Sequence, residues 1–416
     1  MGESAPLGAE DLARIQRRTV WVLSIAQVLG GLAFGATISL GAVLAADISG
    51  DEAFSGLAAA AVTFGTALIA IPLARLARSR GRRLSLTGGM AVALVGVGLV
   101  VFAVGIGSFP LLLLAFLLIG GGQAANLQSR FAAADLATDA SRGRDLSIVV
   151  WATTIGAVLG PNLTGPGAVV GDALGMPPLT GPYVFTIIGQ TLAIVLYVTA
   201  LRPDPLLLAQ RVVASKDDAA GAIARPDDPR LARYAIFAIA ASHGVMVAIM
   251  AMTPVHLLHQ GASLSIIGLT ISLHIAGMYA LSPVFGILAD RVGRIPAILV
   301  GQVILAASLV TASFGQDSPA AVTIALILLG LGWSATTVAG SALLTETSSE
   351  AQRTRRQGLS DFTMSMVAAV GAILAGVVLG LIGYGGLALV VGVAVVAVFA
   401  LAPFATRSSP VSGRAR

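Results

Sequence analysis

Four ionisable side chains, Arg130, His243, His274 and Asp361, stand within or at the ends of long apolar runs in this 416-residue chain. Charge in a hydrocarbon-like setting is costly, so each needs a function or a partner. An imidazole titrates near neutral pH, which makes His243 and His274 candidates for carrying a coupling proton; each also fits a hydrogen-bonded core histidine. Asp361 lies one turn inside its run, after Arg355, Arg356 and Gly358. That carboxyl is a further proton acceptor, or one half of a salt bridge to an arginine. Arg130 suits a wet cavity, a carboxylate partner or a side chain snorkelling to the aqueous edge. His256 and His259, three residues apart, share a helical face as two metal ligands would, but no third ligand stands nearby and no metal is expected. Neither a nucleophile with its base nor paired carboxylates gather at one aqueous face, and there are no cysteines. The residues therefore point to moving protons rather than to enzyme chemistry or a bound cofactor.

The elements that must hold these residues are membrane helices. Hydrophobic residues make up 56% of the chain and charged residues 11%, with mean hydropathy +0.91, a composition foreign to soluble domains of this length. About twelve runs reach the roughly 20 residues a spanning helix needs. They begin near Trp21, Phe54, Leu84, Leu111, Leu146, Tyr183, Tyr234, Ile266, Ile295, Ala320, Leu359 and Gly386. No alternation of apolar and polar residues marks a membrane β-barrel. The spans divide the chain into a polar tail (1–20, expected disordered up to Arg17), a first six-span bundle (21–201), a linker (202–230), a second bundle (231–405) and a basic tail (406–416). Residues 1–20 hold no apolar stretch of a cleavable signal. With both termini inside, all 25 Lys and Arg fall in inner segments, while Asp51, Glu52, Asp172 and Asp317 fall outside; the positive-inside rule sets this orientation. Basicity is thus a topology signal, and no nucleic-acid partner is expected. A short amphipathic helix is expected near Leu206–Val213, and the outer segment from Gly167 to Pro182 reads as a loop.

The chain repeats itself. At an offset of 212, Gly56 meets Gly268, Gly65 meets Gly277, Gly81 meets Gly293 and Arg82 meets Arg294; at 211, Gly121 meets Gly332 and Asp135 meets Glu346. Asp135 and Glu346, acids at equivalent helix ends, are expected to pair with Arg82 or Arg83 and with Arg294. In the fifth span, Gly156, Gly160, Pro161 and Gly165 combine small residues, which allow close helix contact, with a proline that bends the helix.

Gly286-Ile-Leu-Ala-Asp290-Arg291-Val-Gly293-Arg294 resembles the Gly-x-Leu-Ala-Asp-Arg-x-Gly-Arg loop of the major facilitator superfamily of secondary transporters. Here the fuller copy is in the second half; in the first, Ala74 and Arg78 replace the initial Gly and the Asp. The fifth-span segment resembles the Gly-x-x-x-Gly-Pro-x-x-x-Gly motif of drug/proton antiporters in that family. The resemblance implies an all-α fold of twelve transmembrane helices in two pseudo-symmetric six-helix bundles, working as a monomer in the bacterial cytoplasmic membrane. It also implies that the first, fourth, seventh and tenth spans line a central cavity, to which Gln27, Gln123, Asn126, Met246, Met250, Trp333 and Thr337 would contribute a lightly polar wall suited to hydrophobic solutes; core packing is the other reading of each. The expected activity is proton-driven export of hydrophobic or amphiphilic small molecules, with proton-coupled import of a small nutrient or metabolite, or a non-transporting membrane sensor, as the alternatives.

Overall fold

In the two longest helical stretches, the chain reverses on glycine. Helix α2 (Gly56–Gly105) has 50 residues, about 75 Å if straight, against a hydrocarbon core of roughly 30 Å. It turns back at Gly81, whose φ of 87° and ψ of 171° lie in a region essentially restricted to glycine. Gly293, its partner in the repeat, takes φ 97° and ψ 159° and makes the same reversal between α10 (Ser282–Val292) and α11 (Arg294–Phe314).

The computed structural model describes residues 8–51, 54, 56–220 and 227–406, with backbone alone at 9, 32–39, 42, 157–158, 160–162, 164, 213–220, 264–265 and 406. The basic tail beyond 406 and residues 1–7 lie outside the described residues. The remaining helices are α1 (Ala9–Ser49), α3 (Phe109–Ala134), α4 (Arg142–Asn162), α5 (Thr164–Ala173), α6 (Tyr183–Ala200), α7 (Pro205–Ala220), α8 (Pro229–His259), α9 (Leu264–Tyr279), α12 (Pro319–Glu346) and α13 (Glu350–Thr406). Among the described residues, eight helical stretches are long and apolar enough to cross a membrane. Two of these, α2 and α13, each fold into a pair at Gly81 and Gly383; with α1 and the α4–α5 pair this makes twelve spans in two bundles. The protein is a multi-pass membrane protein. Large apolar side chains such as Phe314, Leu381 and Trp21 are exposed on its outside, as a lipid-facing belt requires.

Three boundaries differ from the sequence expectation. Helix α1 begins at Ala9, so residues 9–20 are not a disordered tail: Glu10 and Asp11 occupy the first turn, where the helix dipole favours acids. Gln16 is buried and donates to the Ala133 carbonyl at 2.7 Å and to Asp145 at 2.8 Å. The segment after Gly167 is not all loop, because α5 runs to Ala173. The linker helix α7 is longer than expected, and Leu206, Leu208 and Ala209 bury its apolar side.

Both ends of the linker are pinned. Asp204 Oδ1 accepts from the N–H groups of Leu206 and Leu207, capping α7, while Oδ2 accepts from Arg83 N–H at 2.8 Å. Asp227 takes a two-armed contact from Arg356 at 2.7 and 2.9 Å and a further bond from Ser349 N–H. The Arg356 bonds, then the Ser349 amide, hold the Asp227 carboxyl below its ordinary value. A depressed carboxyl contributes stability above its unfolded value and loses it as pH falls through the folded one, so this clasp is intact at neutral pH.

Candidate functional site

A shut gate joins the bundles at the end that carries the repeated loops, the inner end in the orientation the positive-inside rule predicts. Arg82 donates to both oxygens of Asp135, at 2.8 and 3.2 Å, then crosses to Gln357 Oε1 of the second bundle at 2.5 Å. Arg294 mirrors it. Its Nε and Nη2 donate to Glu346 at 2.9 and 2.6 Å, and Nη2 also reaches the Asp139 carbonyl of the first bundle at 2.7 Å. Arg142 crosses the other way to Glu346 at 2.9 Å. Asp290, held by Arg294, accepts from the N–H groups of Gly143 and Arg144 at 2.9 Å each. Those amides open α4, where unpaired N–H groups and the helix dipole attract an anion. Both acids therefore pair as the repeat suggests, with Arg82 rather than Arg83 taking Asp135. Arg291 is exposed and stands outside this network.

Asp290→Asn keeps the shape of the carboxylate and removes its charge. A favourable acid at a partly buried helix start is worth up to about 2 kcal/mol, so the variant should shift the balance away from the inner-closed state by up to roughly thirtyfold. Labelling of a single cysteine introduced at the inner end reads this out, and unchanged labelling would rule the role out.

The two inner contacts solve one steric problem in opposite ways. Gly286 lies against Ser147 and the Gly143 carbonyl, with no room for a Cβ. At the equivalent crossing the methyl of Ala74 fills the space in front of Gly358. Ala74 corresponds to Gly286 at an offset of 212, and Gly358 to Ser147 at 211. The glycine missing from the first loop is thus supplied by the helix facing it.

Just inside the gate lies a buried ion pair across the seam between the bundles. Arg130 Nη2 donates to Asp361 Oδ1 at 2.6 Å and Nε to Ser341 Oγ at 3.0 Å, and the guanidinium carbon sits 4.6 Å from the Phe131 ring centre. Side-chain exposures of 4% and 0% exclude a snorkelling arginine in this state. Ser341 stands 211 residues after Arg130, so repeat mates touch each other; the offset alone could have flagged that contact. Nothing in the sequence signals Gln357.

The histidines are not brought together. Trp333 Nε1–H donates to His243 Nδ1 at 2.8 Å, and Tyr279 sits edge-on to Trp333 with ring centres 5.8 Å apart. Because indole N–H only donates, His243 Nδ1 carries no proton here. His274 bonds through Nδ1 to the Leu326 carbonyl at 2.8 Å, which makes that nitrogen the donor and ties α9 to α12. His256 stacks on Tyr384 at 4.3 Å and meets the Gln316 carbonyl, while His259 is exposed. Among the described residues no group of three metal-ligating side chains forms.

Of the expected wall residues, Gln27 and Asn126 come together: Gln27 Nε2 donates to Thr153 at 3.0 Å and to the Asn126 carbonyl at 3.4 Å. Gln123 is half-buried and Thr337 buried. Met246 and Trp333 are buried in the apolar core of the second bundle with Met250 against them, so they face packing rather than an open cavity in this state. Gly156 packs tightly on Gly31 of α1, while nothing lies near Gly165. The surroundings of Gly160 and Pro161 lie outside what is described, but the helix breaks just beyond, between Asn162 and Thr164.

A family model for the Major Facilitator Superfamily matches residues 23–259 and 234–416. The chain is 37% identical over 377 residues to YddS, an uncharacterized MFS-type transporter of Bacillus subtilis, covering 89% of this chain and 86% of that one. It is 30% identical over 371 residues to the riboflavin transporter RfnT of Brucella anthropi, covering 88% and 89%. Among solved structures, the human organic anion transporter MFSD10 matches with TM-score 0.74 at 17% identity, covering 93% of this chain and 99% of that one. The proton:xylose symporter XylE matches with TM-score 0.71 at 15% identity, covering 94% and 95%. Twelve spans in two bundles, an inner gate built twice from one loop pattern and this likeness over nearly the whole length agree: the chain belongs to the major facilitator superfamily of membrane transporters.

Proposed function

We propose that the protein exports hydrophobic or amphiphilic small molecules across the bacterial cytoplasmic membrane in exchange for protons, by alternating access, as a monomer with both termini inside. The observation that carries this reading is the Arg130–Asp361 pair, which spans the seam and neutralises itself. It leaves no fixed counter-charge there for a charged solute. It also gives the proton a task. Opening the inner mouth must pull Arg130 and Asp361 apart, and separating charges in a low-dielectric interior is costly. A proton on Asp361 removes one of the two charges, so protonation favours inner opening. His243 adds a second step: a proton on Nδ1 breaks the bond from Trp333 and frees the α8–α12 contact. The gradient supplies the energy, with no cofactor or enzymatic step. Export rather than import is supported by the fifth-span likeness to drug/proton antiporters. Import of a neutral ring compound is the second reading, favoured by the 30% identity to the riboflavin transporter.

Proteoliposomes loaded with a pH-sensitive dye test both. Hydrophobic cations, neutral antibiotics, carboxylates and riboflavin are added in turn, and proton movement against the solute marks exchange. Co-movement with riboflavin alone would replace export by import. Alanine at His243 should alter the pH profile of transport; identical profiles for the His243 and His274 variants and the parent would remove both from the coupling.

A further inference from the structure

Away from the seam, a cleft of about 290 Å³ opens at the inner edge of the first bundle, lined by Arg83, Arg202, Pro203, Asp204, Leu207, Leu208 and Arg211. That is roughly ten water volumes. Its three guanidinium groups come from three elements: the start of the third span, the end of the sixth and the linker helix. Its one carboxylate does not neutralise them. Both Asp204 oxygens are taken by backbone N–H groups of Arg83, Leu206 and Leu207, and among the described residues no acid pairs with Arg83, Arg202 or Arg211. Arg202 spends only Nε, on the Val198 carbonyl, which leaves its terminal nitrogens free to donate. Leu207 and Leu208 supply an apolar wall beside this charge.

We infer that the cleft binds a phosphate-bearing anion, with Arg83, Arg202 and Arg211 as its ligands. Convergent guanidinium forks match phosphate oxygens. The arginines lie where the second, third and sixth spans leave the membrane, so an anionic phospholipid headgroup can enter from the inner leaflet, with its glycerol against the leucines. A soluble phosphate shares the chemistry but not the apolar contact. Occupancy would clamp α7 to the loop at Gly81 and so hold the linker on the first bundle. This site is independent of what the protein transports.

The test uses the full-length protein in detergent, titrated with phosphatidylglycerol, with phosphatidylcholine or with inorganic phosphate while thermal unfolding is followed. Phosphatidylglycerol should raise the midpoint saturably and phosphatidylcholine should not. Each of Arg83→Gln, Arg202→Gln and Arg211→Gln should raise the half-maximal lipid concentration roughly fivefold, and the triple variant should lose the response. A control with Arg75, Arg78 and Arg80 changed to Gln should keep it. Saturation by inorganic phosphate, in competition with the lipid, would identify a soluble anion as the ligand; lipid response without phosphate response identifies the headgroup. An equal lipid response in parent and triple variant, or equal loss in the control, overturns the site. Should the triple variant not fold, Arg211→Gln alone, on the exposed side of α7, decides between these outcomes.

Discussion

Asp361→Ala should destabilise the protein by about 3–5 kcal/mol, the usual cost of removing one member of a buried ion pair. The reason is what it leaves behind. Arg130 would keep its Ser341 contact and its place over Phe131, but its charge would face a low-dielectric interior with no counter-ion. Asp361→Asn should be milder, since the amide oxygen still accepts from Nη2. Replacing both partners by apolar residues, as in Arg130→Met with Asp361→Leu, removes the charge and the need to solvate it; such swaps are often neutral for folding. The double variant should therefore regain most of the lost stability while failing to couple protons. Thermal unfolding in detergent, read beside dye-loaded proteoliposomes, separates the two effects. A single alanine variant as stable as the parent would show that water or another acid already balances Arg130. A double variant that still moves protons with solute would take the pair out of the coupling.

The second large effect is expected at Gly358. A methyl there meets the methyl of Ala74 across the seam, and overfilling a packed contact costs typically about 1–3 kcal/mol. Because this contact holds the inner ends together, the cost falls on the inner-closed state and should depopulate it by roughly 5- to 150-fold. Ala74→Gly made together with Gly358→Ala moves the small residue to the other side of the same crossing, as already found at Gly286 and Ser147, and should restore closure. The chain has no cysteine, so one placed at Ala77, buried just before the Gly81 reversal of α2, reports accessibility without background. Labelling should rise in the single variant and return to the parental level in the pair. If the pair labels as fast as the single variant, packing at this crossing does not set the balance.

Much of this arrangement could be read from the chain because hydropathy and charge placement respond to the bilayer before they respond to neighbours. The repeat offset led from Arg82 and Asp135 to Arg294 and Glu346, since duplicated halves reuse one contact. The same offset carried a contact that was not anticipated, between Arg130 and Ser341. Gln357 stayed hidden because it pairs across the seam, where no local period operates, and a glutamine on a helix has many uses. Residues 9–20 looked like a tail because of their polarity; the bonds of Gln16 to Ala133 and Asp145, over a hundred residues away, and the burial of Thr19 and Val20 tie them down. Met246 and Trp333 could be read as cavity wall or as core, and periodicity cannot separate a surface that solute wets in one state from one that packs in another.

The two clasps on the linker carry a mechanical consequence. Asp204 moves with the first bundle and Asp227 with the second, and α7 extends from the first clasp to Ala220. The seven residues from there to Asp227 can reach at most about 25 Å. So long as the Asp227 fork holds and α7 stays wound, the covalent chain is a leash that limits how wide the bundles can part at this end.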